Sequence, residues 1–267
     1  MTVTVSTTMS SPSPHSTTTM GADVARLAQE IIKAYAGVAQ DRRLLIAVAG
    51  RPGSGKSTLA YPLADHINEL LLGHPVPEAP INAETAVASP PTTRADDDVA
   101  ICVGQDGWHC TRAELDAFPD PVEAHWRRGA AFTFDLPRYA EFVCSLRAPL
   151  PAPPIPFPTF DHKLKDPRPS PTPILSRHRI VVIEGLYTML DEPGWRETAA
   201  QMDMRVWVEV PRDVVFRRVL KRNTEAGIVS SELAEKRVNQ SDMVNGDDVY
   251  AHRYKVTDTI YPADVPQ

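Results

Sequence analysis

The chain has 267 residues, with 28 Lys and Arg against 34 Asp and Glu, for a formal net charge of −6. That length supports a sizeable core without disulfides or a structural metal, and mild acidity argues against a nucleic-acid partner, which would call for a basic excess. Apolar residues at 42% and charged residues at 23% exclude wholesale disorder.

Residues 1–20 are rich in Ser and Thr, with no basic residue and no apolar run. This is the pattern of a disordered tail rather than of a secretory signal or presequence. Val24, Leu27, Ile31 and Tyr35 recur at helical spacing and predict a helix over Asp23–Val38. Leu44–Ala49 is a short apolar run bounded by charge and Gly, a buried strand. A helix follows Ser57, with Leu59, Leu63, Ile67 and Leu70 on one face and Pro62 expected to bend it. Proline, at 26 residues, is about twice its usual frequency. It gathers in His74–Asp98, expected to be a mobile surface insertion, and in Ala148–Pro173. The second stretch is interrupted by Phe157, Phe160, Asp161, His162 and Lys163, which a linker would not need.

Further strands are expected at Val99–Val103, Arg179–Ile183 and Met204–Val210, and helices at Val122–Arg128, Arg138–Leu146, Asp213–Asn223 and Ser231–Val238. Strands alternating with helices imply a parallel sheet covered on both faces. In such sheets ligands sit beyond the carboxyl ends of the strands, and Asp106 and Glu184 fall at such ends. Three cysteines without a C-x-x-C pair fit free thiols in a reducing, cytoplasmic setting, and no apolar run reaches the roughly 20 residues of a membrane span.

Gly50-Arg51-Pro52-Gly53-Ser54-Gly55-Lys56-Ser57 matches G-x-x-x-x-G-K-S/T, with a strand before it and a helix after it. Its glycines let backbone N–H groups converge with the helix N-terminus into an anion cradle. Gly50, Arg51, Gly53, Ser54, Gly55, Lys56, Ser57 and Thr58 are the expected nucleotide-binding residues, Lys56 reaching the β- and γ-phosphates and the Ser57 hydroxyl holding Mg²⁺. No N-K-x-D string is present, which excludes a GTPase switch of the usual kind. A small-molecule kinase needs a carboxylate at the acceptor hydroxyl, a metal site and cations over the transferring phosphoryl group. Asp106 is the candidate base, a pure metal ligand being the alternative. Glu184 is the candidate second metal group. Arg217, Arg218, Lys221 and Arg222 crowd one helix where a closing lid over about 213–238 would sit, and Arg217, Arg218 and Arg222 are candidates for charge neutralisation.

The ordered set Gly50–Ser57, Asp106-Gly107-Trp108-His109, Arg128–Asp135, Phe160–Lys163 and Ile183–Tyr187, followed by the Arg-rich helix and Asp242-Met243-Val244-Asn245, resembles the uridine kinase / phosphoribulokinase / type I pantothenate kinase family over about residues 25–250. The resemblance implies a three-layer α/β P-loop fold with a central parallel sheet, a lid and a substrate-side insertion over about 108–165. It also implies ATP and Mg²⁺ as cofactors, Asp106 as base, and a small metabolite as the phosphoryl acceptor. By the same resemblance Trp108, His109, Arg112, Arg128, Phe134, Asp135 and His162 are substrate-side candidates. An aromatic wall of Trp108 and Phe134 would suit a stacked nucleobase and favours a nucleoside, with pantothenate, a sugar, or an ATP-binding module without an acceptor as alternatives. No nucleic-acid or membrane partner is expected, and a homodimer or a place within a longer chain is left open.

Overall fold

The computed structural model describes residues 19–73, 96–161, 163–225 and 231–262. The expected tail up to residue 18, most of the expected mobile insertion (74–95) and His162 lie outside the described residues. Helix α1 spans Met20–Tyr35 and starts earlier than its apolar spacing indicates, because Thr19 supplies the N-cap and accepts from the Ala22 N–H. Met20, assigned to the tail from composition, is buried in the core.

The strands are β1 (Leu44–Gly50), β2 (Ala100–Gly104), β3 (Pro158–Asp161), β4 (Asp166–Pro169), β5 (Ile180–Glu184), β6 (Met204–Val208) and β7 (Asp258–Ile260). Five of them form one parallel sheet in the order β2-β5-β1-β6-β7. All seven residues of β1 are buried, as the continuous apolar run requires in a sheet covered on both sides. Alternate residues divide between two cores. Leu44, Ile46 and Val48 face α1 and the P-loop helix α2 (Lys56–Leu72). Leu45, Ala47 and Ala49 face a second core containing Tyr139, Phe142, Trp195 and Trp207. The result is a three-layer α/β fold, and α2 runs on through Pro62.

The remaining helices are α3 (Arg112–Asp116), α4 (Pro121–Trp126), α5 (Leu136–Leu146), α6 (Trp195–Ala199), α7 (Arg212–Glu225), α8 (Ser231–Arg237) and α9 (Met243–Ala251), with a π-helical turn at Val238–Asp242 joining the last two. The β3–β4 hairpin rises out of the second Pro-rich stretch and packs on a 3₁₀ turn at Gln105–Trp108. The approach is so close that a Cβ at Gly107 would stand 2.1 Å from the Pro158 carbonyl oxygen. Among the described residues, no helix is long and apolar enough to cross a membrane.

Strand order positions the site. β5 lies between β1 and β2, with Glu184 opposite Val48 on one side and Gly104 on the other. The carboxyl ends of all three strands therefore sit side by side, although in sequence they fall at Gly50, Gly104 and Glu184.

Candidate active site

Beyond β1 the chain turns through Gly53 (φ +77°) and Gly55 (φ +92°), left-handed conformations that favour glycine. Gly50 is close-packed as well, since a Cβ there would meet Ser54 Oγ at 2.5 Å. No side chain caps α2 at Gly55, so its first-turn N–H groups stay open to an anion. Ser54 Oγ is buried against Gly50 without a partner among the described residues. Thr58 lies in the same first turn and is half-buried. These features fit a triphosphate.

The Lys56 ammonium donates to the Arg51 carbonyl at 3.2 Å. Burial lowers its pKa, the Glu184 and Asp106 charges oppose that, and Arg222 adds to it. Glu184 is pushed up to about 7, first by burial and then by the Asp106 charge, against the pull of Lys56 and a hydrogen bond with Ser57. Lys56, Ser57, Asp106, Glu184 and Arg222 thus share one electrostatic environment. A hydroxyl and two carboxylates fit the oxygen preference of Mg²⁺. Asp106 is carried by the 3₁₀ turn after β2, with half of its side chain exposed. The turn is clamped by its own backbone carbonyl, which accepts from the His109 N–H at 3.2 Å and from His109 Nδ1–H at 2.8 Å.

Gln105 ties this turn to β5. It is fully buried, its Oε1 accepts from the Tyr187 N–H at 2.9 Å, and its side chain fills the space a Cβ at Gly185 would need. Its signal in the sequence is a polar residue at the end of an apolar strand, next to the acidic Asp106.

Several expected ligand contacts are replaced by internal ones. The Arg51 guanidinium turns from the cradle to pair with Asp247 (3.2 Å) and Glu209 (3.5 Å) and to stack on Tyr250. It braces the loop against α9. Arg112 and Arg128 both bind Asp166, and Arg128 also donates to the Cys110 carbonyl. They fasten the hairpin to the Asp106 turn. Trp108 is 4% exposed and packs against Phe142 and Tyr139, while Phe134 lies under His109 and against Tyr187. The aromatic wall expected from these two rings is therefore part of the core, because α5 packs on Trp108, and Tyr187 and Trp195 pack on Phe134. His109 remains at the edge, its ring 4.0 Å from Phe134 and 5.0 Å from Phe160. Asp135 caps α5, accepting from the Arg138 N–H.

The expected lid arginines separate. Arg217 pairs with Asp213 at 2.8 Å on the exposed side of α7. Arg218 donates to the Gly53 carbonyl at 3.3 Å, and Val219 packs on the same glycine, so this face of α7 lies on the P-loop. Arg222 contributes to the field at Lys56.

A cavity of about 660 Å³ opens between α5, the 152–158 segment and the 107–111 turn. Trp108, His109 and Asp135 line it, but Lys56, Ser57, Asp106 and Glu184 do not. It lies behind the Asp106 turn and is not where phosphoryl chemistry would occur.

The model of the phosphoribulokinase / uridine kinase family matches residues 131–242. The chain is 40% identical over 158 residues to an ATP-dependent kinase-like protein of Aspergillus versicolor, a match covering 58% of this chain and 92% of the other. It is 30% identical over 205 residues to a Schizosaccharomyces pombe protein provisionally named a uridine kinase, covering 76% and 77%. Among solved structures, a chain from Silicibacter sp. TM1040, provisionally named a fructose transport system kinase, superposes with a TM-score of 0.70 at 26% identity, covering 88% and 98%.

Proposed function

The chain belongs to the phosphoribulokinase / uridine kinase family of P-loop kinases, and on that premise we propose that it moves the γ-phosphoryl group of ATP to a hydroxyl of a small metabolite through Lys56, Ser57, Asp106 and Glu184. The observation that carries this reading is the insertion of β5 between β1 and β2, which brings Glu184 to the Ser57 hydroxyl and into the fields of Lys56 and Asp106. Mg²⁺, when bound, would be held by Ser57 and Glu184 and would offset the negative charge of the phosphates.

The residues of the chain do the rest. The loop amides and Lys56 hold the phosphates, while Ser57 and Glu184 offer oxygens to the metal. Asp106, on its clamped turn, orients the acceptor hydroxyl and takes its proton. Arg222, with Arg218 bracing the loop, neutralises charge on the transferring group. Catalysis of this kind is chiefly positioning and electrostatics.

The nucleoside expected from an aromatic wall has lost that support. The name of the S. pombe relative still favours a nucleoside, and that of the Silicibacter neighbour a sugar. The test is ADP formation from ATP·Mg²⁺ against nucleosides, sugars and pantothenate. Acceptor-dependent ADP formation that disappears in Lys56→Ala supports the reading, and hydrolysis indifferent to every acceptor refutes it.

A further inference from the structure

Arg138, Glu141, Phe142 and Ser145 fall on one face of α5 by i, i+3, i+4, i+7 spacing, and all four line the cavity behind the Asp106 turn. A second wall is the Pro-rich segment 152–156. Proline has no N–H and a fixed φ, so this wall is apolar and stiff. It is pinned in two places. Ser176 Oγ accepts from the Ala152 N–H at 2.9 Å and donates to the Ala152 carbonyl at 2.8 Å, and Ile155 pairs with Ile174. Gly107, Trp108 and His109 line the cavity as well. Its volume of about 660 Å³ lies within the roughly 300–1,000 Å³ of small-molecule sites.

The charges around this space do not balance. Glu114, Asp135 and Glu141 line it against one guanidinium, Arg138, and one imidazole, His109. Even a charged imidazole leaves the lining acidic. Arg138 Nη1 spans Asp135 at 3.1 Å and Glu114 at 3.6 Å. Glu141, one turn along α5, has no hydrogen-bond or ion-pair partner among the described residues. The Arg138 side chain is 71% exposed, and ion pairs held that loosely contribute little, so an incoming cation can displace it. An apolar body carrying one positive charge suits this lining. The body rests on Pro153, Pro154, Ile155 and Phe142, and the ammonium meets Glu141 and the carboxylates that Arg138 now covers. An anion meets repulsion here, and a neutral polyol leaves the apolar wall unused.

We propose that this cavity is a second ligand site, separate from the nucleotide cleft, for a small organic cation with an apolar body. Lys56, Ser57, Asp106 and Glu184 do not line it, so its occupant is distinct from the phosphoryl acceptor. The occupant bears instead on the back of the turn. His109 donates to the Asp106 carbonyl through its N–H and its ring, and the Trp108 carbonyl accepts from the Asp135 N–H at 2.8 Å. A ligand against Trp108, His109 and Asp135 therefore stiffens the segment that carries Asp106, and it acts on turnover rather than on ATP affinity. The effect on turnover rests on the kinase reading; the binding does not.

The experiment titrates the full chain with three probes of one shape, 2-phenylethylamine, 2-phenylethanol and 3-phenylpropionate, by calorimetry and thermal shift, with and without saturating ATP·Mg²⁺. The amine should bind about fivefold or more tighter than the alcohol, the scale of one or two surface ion pairs, and the acid weakest of the three. The gap should narrow as salt is raised. Glu141→Gln should shrink it to about twofold or less, whereas Arg138→Gln, by freeing Glu114 and Asp135, should tighten the amine about threefold. Opposite signs from two neighbouring exposed residues are not what a general loss of folding produces, and the wild-type comparison stands whatever the variants do. Amine binding should persist in Lys56→Ala and with ATP·Mg²⁺ bound, so it survives even where the kinase reading fails. Absence of saturable amine binding, or equal binding of all three probes, overturns the proposal. So does displacement of the amine by ATP·Mg²⁺, which would put the probe in the nucleotide cleft.

Discussion

Gly107→Ala tests the clamp on the Asp106 turn. The added methyl would stand 2.1 Å from the Pro158 oxygen and 2.6 Å from its carbonyl carbon, where ordinary contact begins near 3.4 Å. About 1.3 Å must be opened, and the obstruction is backbone, which cannot swing aside. Either the β3–β4 hairpin lifts or the turn that carries Asp106 is pushed toward the P-loop. Overpacking of this kind costs about 1–3 kcal/mol, and at roughly 2–4 °C per kcal/mol for a chain of this size the melting temperature should fall by about 2–12 °C. A carboxylate displaced by about 1 Å loses on the order of 10² in turnover. Lys56 and the cradle follow a different strand, β1, so stabilisation by ATP·Mg²⁺ should persist. The assay pairs thermal unfolding, with and without ATP·Mg²⁺, with acceptor-dependent ADP formation. A variant that melts within 1 °C of wild type and turns over at the same rate would show that the hairpin does not hold the turn, and the reasoning would be wrong.

Asp106→Asn should lower turnover by about 10²–10⁴, the contribution of a positioned base, with ATP affinity nearly unchanged; normal turnover would remove Asp106 from that role. Glu184 sets a pH dependence whose sign follows from its raised pKa of about 7. Between its ordinary value and 7 the folded chain holds a proton the unfolded chain has released, so this group favours folding most at low pH and the benefit is lost as pH rises through 7. Metal binding runs the other way, because the carboxylate must be free: the apparent Mg²⁺ requirement should grow about tenfold from pH 8 to pH 6. Glu184→Gln should flatten that titration, and an identical profile in the variant would exclude Glu184 from the metal site. Arg222→Gln should cost on the order of 10³ or more in turnover, as for an arginine acting on a phosphoryl group, whereas Arg217→Gln should stay within about threefold of wild type. Equal losses in both would contradict the division of the lid helix described above.

Local signals determined the parts whose physics is local. The run Leu44–Ala49 can only be a strand buried on both faces, and Gly53, Gly55 and Lys56 encode the cradle because left-handed backbone and converging amides are properties of a few consecutive residues. Asp106 and Glu184 were legible because each ends an apolar run. The helix in Met20–Tyr35 was visible in its spacing, though its start depended on the cap at Thr19. What the order of residues could not convey was which strands become neighbours and where long side chains turn. The placement of β5 between β1 and β2 brings Glu184 to Ser57, and no periodicity encodes strand order. The hairpin of β3 and β4 was hidden in a Pro-rich stretch because its strands are short and stabilised by the turn they cover. Trp108 and Phe134 read as a ligand wall because burial on a second side is set by elements far away in the chain. The arginines make the point most sharply: Arg51, Arg128, Arg217 and Arg222 are chemically alike in the sequence, and only the carboxylates, amides and rings that folding brings within a few ångströms decide which are braces and which face the site.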